Sequence, residues 1–173
     1  MKKILLSLIA VFFAFNYAVA GGVKTQQGDK KFFKTATGTA VLDIQFDKAK
    51  YDNKMDLSEK FPDIDGLKKI AISGFTETFN EKSKGIQIVK DESAKYIFRF
   101  DVTNMDQYWK TFGVIVPGFS TKTWGTFKVI DKSTNEEVLV VNVDEVDGGA
   151  NPDPRETISD SFEEVAKLLF KLK

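Results

Sequence analysis

Neither cysteine nor histidine occurs anywhere in the 173 residues. Without an imidazole, Ser-His-Asp and Cys-His hydrolysis lose the base that takes the nucleophile's proton. Zinc sites lose their commonest ligands, and a histidine pH switch is excluded. Without a thiol there can be no disulfide and no lipid-modified N-terminal cysteine. Charge of one sign is also missing: 25 basic residues stand against 25 acidic. No basic stripe marks a nucleic-acid binder, and nothing draws the chain to an anionic membrane surface. Neither a GxGxxG nor a GxxxxGK[ST] pattern occurs, so no nucleotide cofactor is expected, nor any other. Carboxylate, lysine, hydroxyl and tyrosine chemistry remain.

Long hydrophobic runs are confined to the start. Met1-Lys2-Lys3 precedes a mostly apolar stretch from Ile4 to Phe15, and Ala18-Val19-Ala20 is followed by Gly21-Gly22. A basic head, a short apolar middle and a small-x-small site predict a removable signal peptide over 1–20. The run is too short for a spanning helix, which needs about 20 residues. The expectation is an exported protein, periplasmic or secreted, with no transmembrane segment in its mature chain. Removing the 20-residue leader from 173 leaves 153 residues with 23 basic and 25 acidic side chains, a net charge of −2. That length suits one domain that buries its core without covalent staples.

The mature chain predicts a flexible lead-in at 21–36 and a single domain at 37–173. Ala40, Leu42, Ile44 and Phe46 alternate with polar neighbours, the period of a half-buried strand. Leu67, Ile70, Ala71, Phe75 and Phe79 recur at helical spacing, so 66–83 reads as a helix with Asp65 as N-cap. Gly74 inside it points to close packing against a strand. Residues 86–89 and 95–103 read as strands, and 121–143 as a hairpin turning at 131–136. Its second arm is apolar on both faces, which suggests a central position in the sheet. Residues 147–153 read as a loop. Asp153, Pro154 and Glu156 open a last helix whose apolar stripe is Ile158, Phe162, Val165, Leu168, Leu169 and Leu172. The order predicts an α+β fold, a mixed, mostly antiparallel sheet with two main helices packed on one face.

The stretch 108–119 is unusual, because a connection between strands should be polar. It carries Tyr108, Trp109, Phe112, Val114, Ile115, Val116 and Phe119. Exposed together they would form a patch marking a partner or membrane contact. Folded back over the sheet, or extending the strands, they would be core. The acids Asp144, Glu145, Asp147 and Asp153, with Asn151, match no calcium loop, so no metal is expected. Asp43/Asp47 and Asp63/Asp65 are carboxylate pairs that nothing in the sequence aims across a cleft. Gly148 and Gly149 read as loop flexibility.

Five segments carry a family resemblance: "FDKAKYDNK" from Phe46, "FTETFNEK" from Phe75, "AKYIFRFDVTNMD" from Ala94, "GVIVPGF" from Gly113 and "GTFKVIDKSTNEEV" from Gly125. With them the chain resembles a group of small exported bacterial proteins grouped as domains of unknown function. The strand entered by Ala94-Lys95-Tyr96 and the later Val-Ile-Asp-x-x-Thr-x-Glu are also similar to periplasmic domains related to the TolB amino-terminal domain and CsgG. The resemblance implies helices packed on a mixed sheet and brings no catalytic residues. This chain lacks the lipobox cysteine that anchors many of the broader set. The expected role is a non-enzymatic module that binds a protein partner at the cell envelope. The alternatives are a self-associating structural envelope protein and a carboxylate-based hydrolase.

Overall fold

The computed structural model describes residues 21–112 and 116–172, with 111, 112, 116 and 117 as backbone. Its elements are β1 (Gly22–Gly28), α1 (Phe32–Thr35), β2 (Gly38–Gln45), β3 (Lys50–Tyr51), β4 (Met55–Asp56), α2 (Leu57–Lys60), α3 (Ile64–Lys82), β5 (Ile86–Ile88), β6 (Tyr96–Phe112), β7 (Val116–Asp131), β8 (Glu136–Asn151) and α4 (Pro154–Leu169). Among the described residues these form one eight-stranded sheet in the order β1-β8-β7-β6-β2-β5, with β3 on β6 and β4 on β3. β6, β7, β8 and β1 pair antiparallel, whereas β2 runs parallel to both β5 and β6. The fold is α+β with a mixed sheet. No helix among the described residues is long and apolar enough to cross a membrane.

Phenylalanine fills the core. Phe98 and Phe100 of β6 and Phe127 of β7 have no exposed surface, and neither have Phe75 and Phe79 of α3 or Phe162 of α4. Phe79 meets Phe98 edge-on at 5.3 Å, Phe75 stacks on Phe127 at 5.6 Å, and Phe162 meets Phe100 at 5.6 Å. Residues two apart on a strand share a face, so these rings fasten both long helices to β6 and β7. Each such ring removes apolar surface worth about 1.5–3 kcal/mol from water. Alternate residues carry ion pairs instead: Asp43 with Arg99 (3.3 Å) and Lys128 with Glu137 (2.9 Å).

Several local expectations are corrected. The lead-in at 21–36 carries β1 and α1. Gly22–Gly28 pairs antiparallel with β8, and Phe33 is only 3% exposed among Phe79, Phe98 and Phe127. The reason lies in β8: a central strand needs partners on both edges, and β1 supplies the second. The N-cap of α3 is Asp63, two residues before Asp65, and it accepts from Gly66 N at 2.9 Å. Gly74 packs against a helix, since a Cβ there would lie 2.4 Å from Ser159 Oγ of α4. Residues 147–151 belong to β8, and only then does Asp153 cap α4 through Arg155 N at 2.8 Å.

Candidate functional site

The long β6–β7 hairpin reaches beyond the helices. Its ladder runs from Tyr96 opposite Asp131 to Phe112 opposite Val116. Near the body it is fastened to the start of α4. Gln107 Nε2 donates to Pro154 O at 2.7 Å, and the buried hydroxyls of Thr121 and Thr157 lie 2.7 Å apart. A second buried hydroxyl pair joins Thr123 to Ser161 at 3.0 Å. Two residues outward on the same side, past the end of the helix, Gln107 is succeeded by Trp109 and Thr121 by Phe119. Those two are cross-strand partners with their rings edge to face, centroids 4.9 Å apart. Trp109 is 56% exposed, and Met55 is the other large apolar side chain exposed among the described residues.

The opposite side of this hairpin explains how the ring pair is held. Tyr108 and Lys110, which flank Trp109, and Ser120, which follows Phe119, all converge on Asp147 of β8. Tyr108 Oη donates to Asp147 Oδ2 at 2.6 Å and Lys110 Nζ to the same oxygen at 2.8 Å. Gly149 N donates to Oδ1 at 2.8 Å; the Ser120 hydroxyl reaches that oxygen and the Gly149 carbonyl (2.6 Å). Beside them Lys122 pairs with Glu145 and lies 4.8 Å over the Tyr108 ring. A bulge aims the carboxylate. Between the pairs Ser120–Ala150 and Lys122–Asp147, β8 uses one residue more than β7. Gly149 takes φ +95°, open to glycine at little cost, while Gly148 packs so close to α4 that a Cβ would lie 2.2 Å from Ser161 N. Both glycines serve geometry, where loop flexibility was expected.

Burial by itself would raise the pKa of Asp147. The hydrogen bonds from Lys110, Ser120 and Tyr108 outweigh it and hold the group well below the usual carboxylate range. Lys110 is correspondingly raised by its bond to Asp147, and the Tyr108 phenol is raised by burial and by the same carboxylate.

Of the residues singled out in sequence, Trp109 and Phe119 come together as the exposed ring pair. Tyr108 turns to the other side and joins the carboxylate network. Phe112 and Val116 close the described ladder, and Val114 and Ile115 lie outside the described residues. Residues 108–112 and 116–119 are thus the outer ends of two strands, one of the readings left open in sequence. Asp147, Lys110 and Ser120 had no signal of their own in the sequence, because only the ladder register brings them together. The remaining acids are spread out. Glu145 pairs with Lys122, Asn151 accepts from Asp153 N at 3.0 Å, Asp43 lies between Arg99 and Lys68, and Asp63 caps α3. No group of three or more acidic side chains among the described residues is placed to hold a metal ion.

The main-chain edges along β5 and β1 are guarded. The outward groups of β5 are taken by α3 and the turn after it: Ile88 N donates to Asn80 Oδ1 at 2.7 Å, Asn80 Nδ2 to Ile88 O at 3.0 Å, and Ile86 N to Ser83 Oγ at 3.1 Å. At the far edge β1 carries exposed Lys24 and a register shift between Thr25 and Gln27. Charges and bulges of this kind discourage edge-to-edge pairing.

No family model matches the chain, and no curated protein matches it. Solved structures similar to it include the PelC dodecamer from Paraburkholderia phytofirmans, 17% identical with a TM-score of 0.46, covering 87% of this chain and 97% of that one. A putative neuraminyllactose-binding hemagglutinin homolog from Helicobacter pylori is 13% identical with a TM-score of 0.40, covering 91% of this chain and 89% of that one. Both are distant likenesses of backbone.

Proposed function

We propose that this protein is an exported, non-enzymatic module of the cell envelope that binds a protein partner through the Trp109–Phe119 ledge. The carrying observation is a large aromatic side chain left 56% exposed on a hairpin whose other side is clamped by a half-buried carboxylate network. Exposed tryptophans on rigid supports are the side chains that dominate protein interfaces, because they bury much apolar area at little entropic cost. On this reading the leader over 1–20 directs export to the periplasm or beyond, and the chain belongs with the exported domains it resembles in sequence. The two main helices cover one face of the sheet, and the hairpin extends past that cover to present the ledge.

The test is Trp109→Ala in the intact chain, read by thermal melting, light scattering and in-cell crosslinking. The expected outcome is a melting temperature within about 2 °C of the parent, since removing an exposed side chain shifts stability by about 0.5 kcal/mol or less. The crosslinked partner band should be lost. A large fall in melting temperature with crosslinking unchanged would assign Trp109 to the core and defeat the proposal. A concentration-dependent dimer that disappears with the substitution would make the partner a second copy of this chain.

A further inference from the structure

A second surface lies at the other end of the molecule. β5 stops at Ile88, opposite Ala40, while β2 continues to Gln45. The direction of the main chain along β2 follows from two bonds. Gly38 N donates to Gly85 O at 3.0 Å, and Ala40 O accepts from Val89 N at 2.8 Å. Alternation then turns the N–H and C=O of Leu42 to the same outer side, where no strand stands across from them among the described residues. This gap is the floor of a groove of about 980 Å³ between α3 and the β2–β5 edge. Leu42, Ile72 and Ile88 give it apolar walls, and Lys69 and Lys90 outnumber Glu77 along it. Thr76 lines it too, with an Oγ1 that has no partner among the described residues.

From this geometry we infer that the groove docks an extended peptide segment of a partner protein, with apolar side chains alternating with acidic ones. The unpaired main-chain donor and acceptor of Leu42 call for a strand, since only an extended backbone offers the matching acceptor and donor side by side. The alternation follows from the floor and the rim: every second side chain of an added strand would enter the apolar walls, and the others would reach the lysines. The contrast with β5 sharpens the point. Asn80 and Ser83 cover the outward groups of Ile86 and Ile88, yet the next outward position on this side of the sheet is left uncovered. The groove is separate from the aromatic ledge. Leu42 sits opposite Phe98 of β6, and Trp109 lies eleven residues further along that strand, about 35 Å away at the rise of a strand.

The experiment titrates the isotope-labelled protein with a synthetic peptide of alternating valine and glutamate, about ten residues long. Two controls accompany it: the same peptide with lysine for glutamate, and the valine–glutamate peptide N-methylated at alternate residues. The valine–glutamate peptide should shift the amide signals of Leu42, Ile72 and Ile88 and leave Trp109 unmoved. The lysine peptide should bind about tenfold more weakly, and the methylated one should not bind. Lys69→Glu with Lys90→Glu should invert the charge preference at unchanged circular dichroism and melting temperature. Equal binding of the acidic and basic peptides, shifts elsewhere only, or no binding overturns the inference. So does a Leu42 amide already protected from exchange without peptide, whether by a second copy or by residues 1–20. Failure here leaves the ledge proposal standing, because Trp109 serves only as an unmoved reference and its partner is not in the titration.

Discussion

At the scale of single residues, hydrogen bonds converge on Asp147. Four donors meet one carboxylate that is itself about a quarter exposed. Its Asp147→Asn variant keeps the shape but gives up the charge, and the bond to Lys110 weakens accordingly. The expected loss is about 1–2 kcal/mol, a fall of about 3–6 °C in melting temperature for a chain of this size. The pH dependence has a definite sign. The folded group binds its proton more weakly than the unfolded one, whose value is 3.8. On acidification the unfolded chain takes up the proton first, so stability contributed by Asp147 is complete above about pH 5 and declines as pH falls through 4 and below. Denaturant titrations at pH 6 and pH 3 should show a smaller acid loss in Asp147→Asn than in the parent; equal losses would refute this assignment. Along the chain Asp147 is one acid in a run of acids. Its special position arises from residues 27 to 39 places away in the chain.

At the scale of elements, the joint between α3 and α4 depends on a small residue. Gly74 lets the two helices approach until Ser159 Oγ would stand 2.4 Å from an added Cβ. Gly74→Val improves nothing that helix propensity could recover, because the space is already filled by α4. The expected cost is about 1–3 kcal/mol from overpacking, read by chemical denaturation. If Gly74→Val instead stabilises, the joint is looser than the geometry states. The helix itself was legible from the spacing of Leu67, Ala71, Phe75 and Phe79, all buried in the fold. What the glycine packs against was not legible, since a sequence records that a Cβ is missing and not which neighbour needs the room. β1 shows the same limit from the other side. Its polar residues have no period of their own, and its pairing follows from the open edge of β8.

At the scale of the whole molecule, the phenylalanine cluster is the one centre that all layers share. Phe98 touches α1 through Phe33, α3 through Phe79 and β7 through Phe127. Phe98→Ala should cost about 3–5 kcal/mol and lower the melting temperature by about 10 °C or more, if the chain still folds. A loss near that of a surface substitution would show that this cluster is not the core. The two surfaces proposed for partners lie outside this centre and at opposite ends of β6, so each can be altered without disturbing the other. The amino-acid sequence alone determined the elements whose signals are local. Period two wrote β2 and the inner part of β6, period 3.6 wrote α3 and α4, and Asp153-Pro154 set where α4 begins. It also excluded every chemistry that needs histidine or cysteine. Tertiary structure alone decided the rest: that 108–112 and 116–119 extend two strands, that Asp147 lies beneath Trp109, that β1 is a strand, and that Leu42 faces an uncovered edge. Each of these depends on which strand lies beside which and in what register. That information is carried by pairing between distant residues and has no periodicity along the chain.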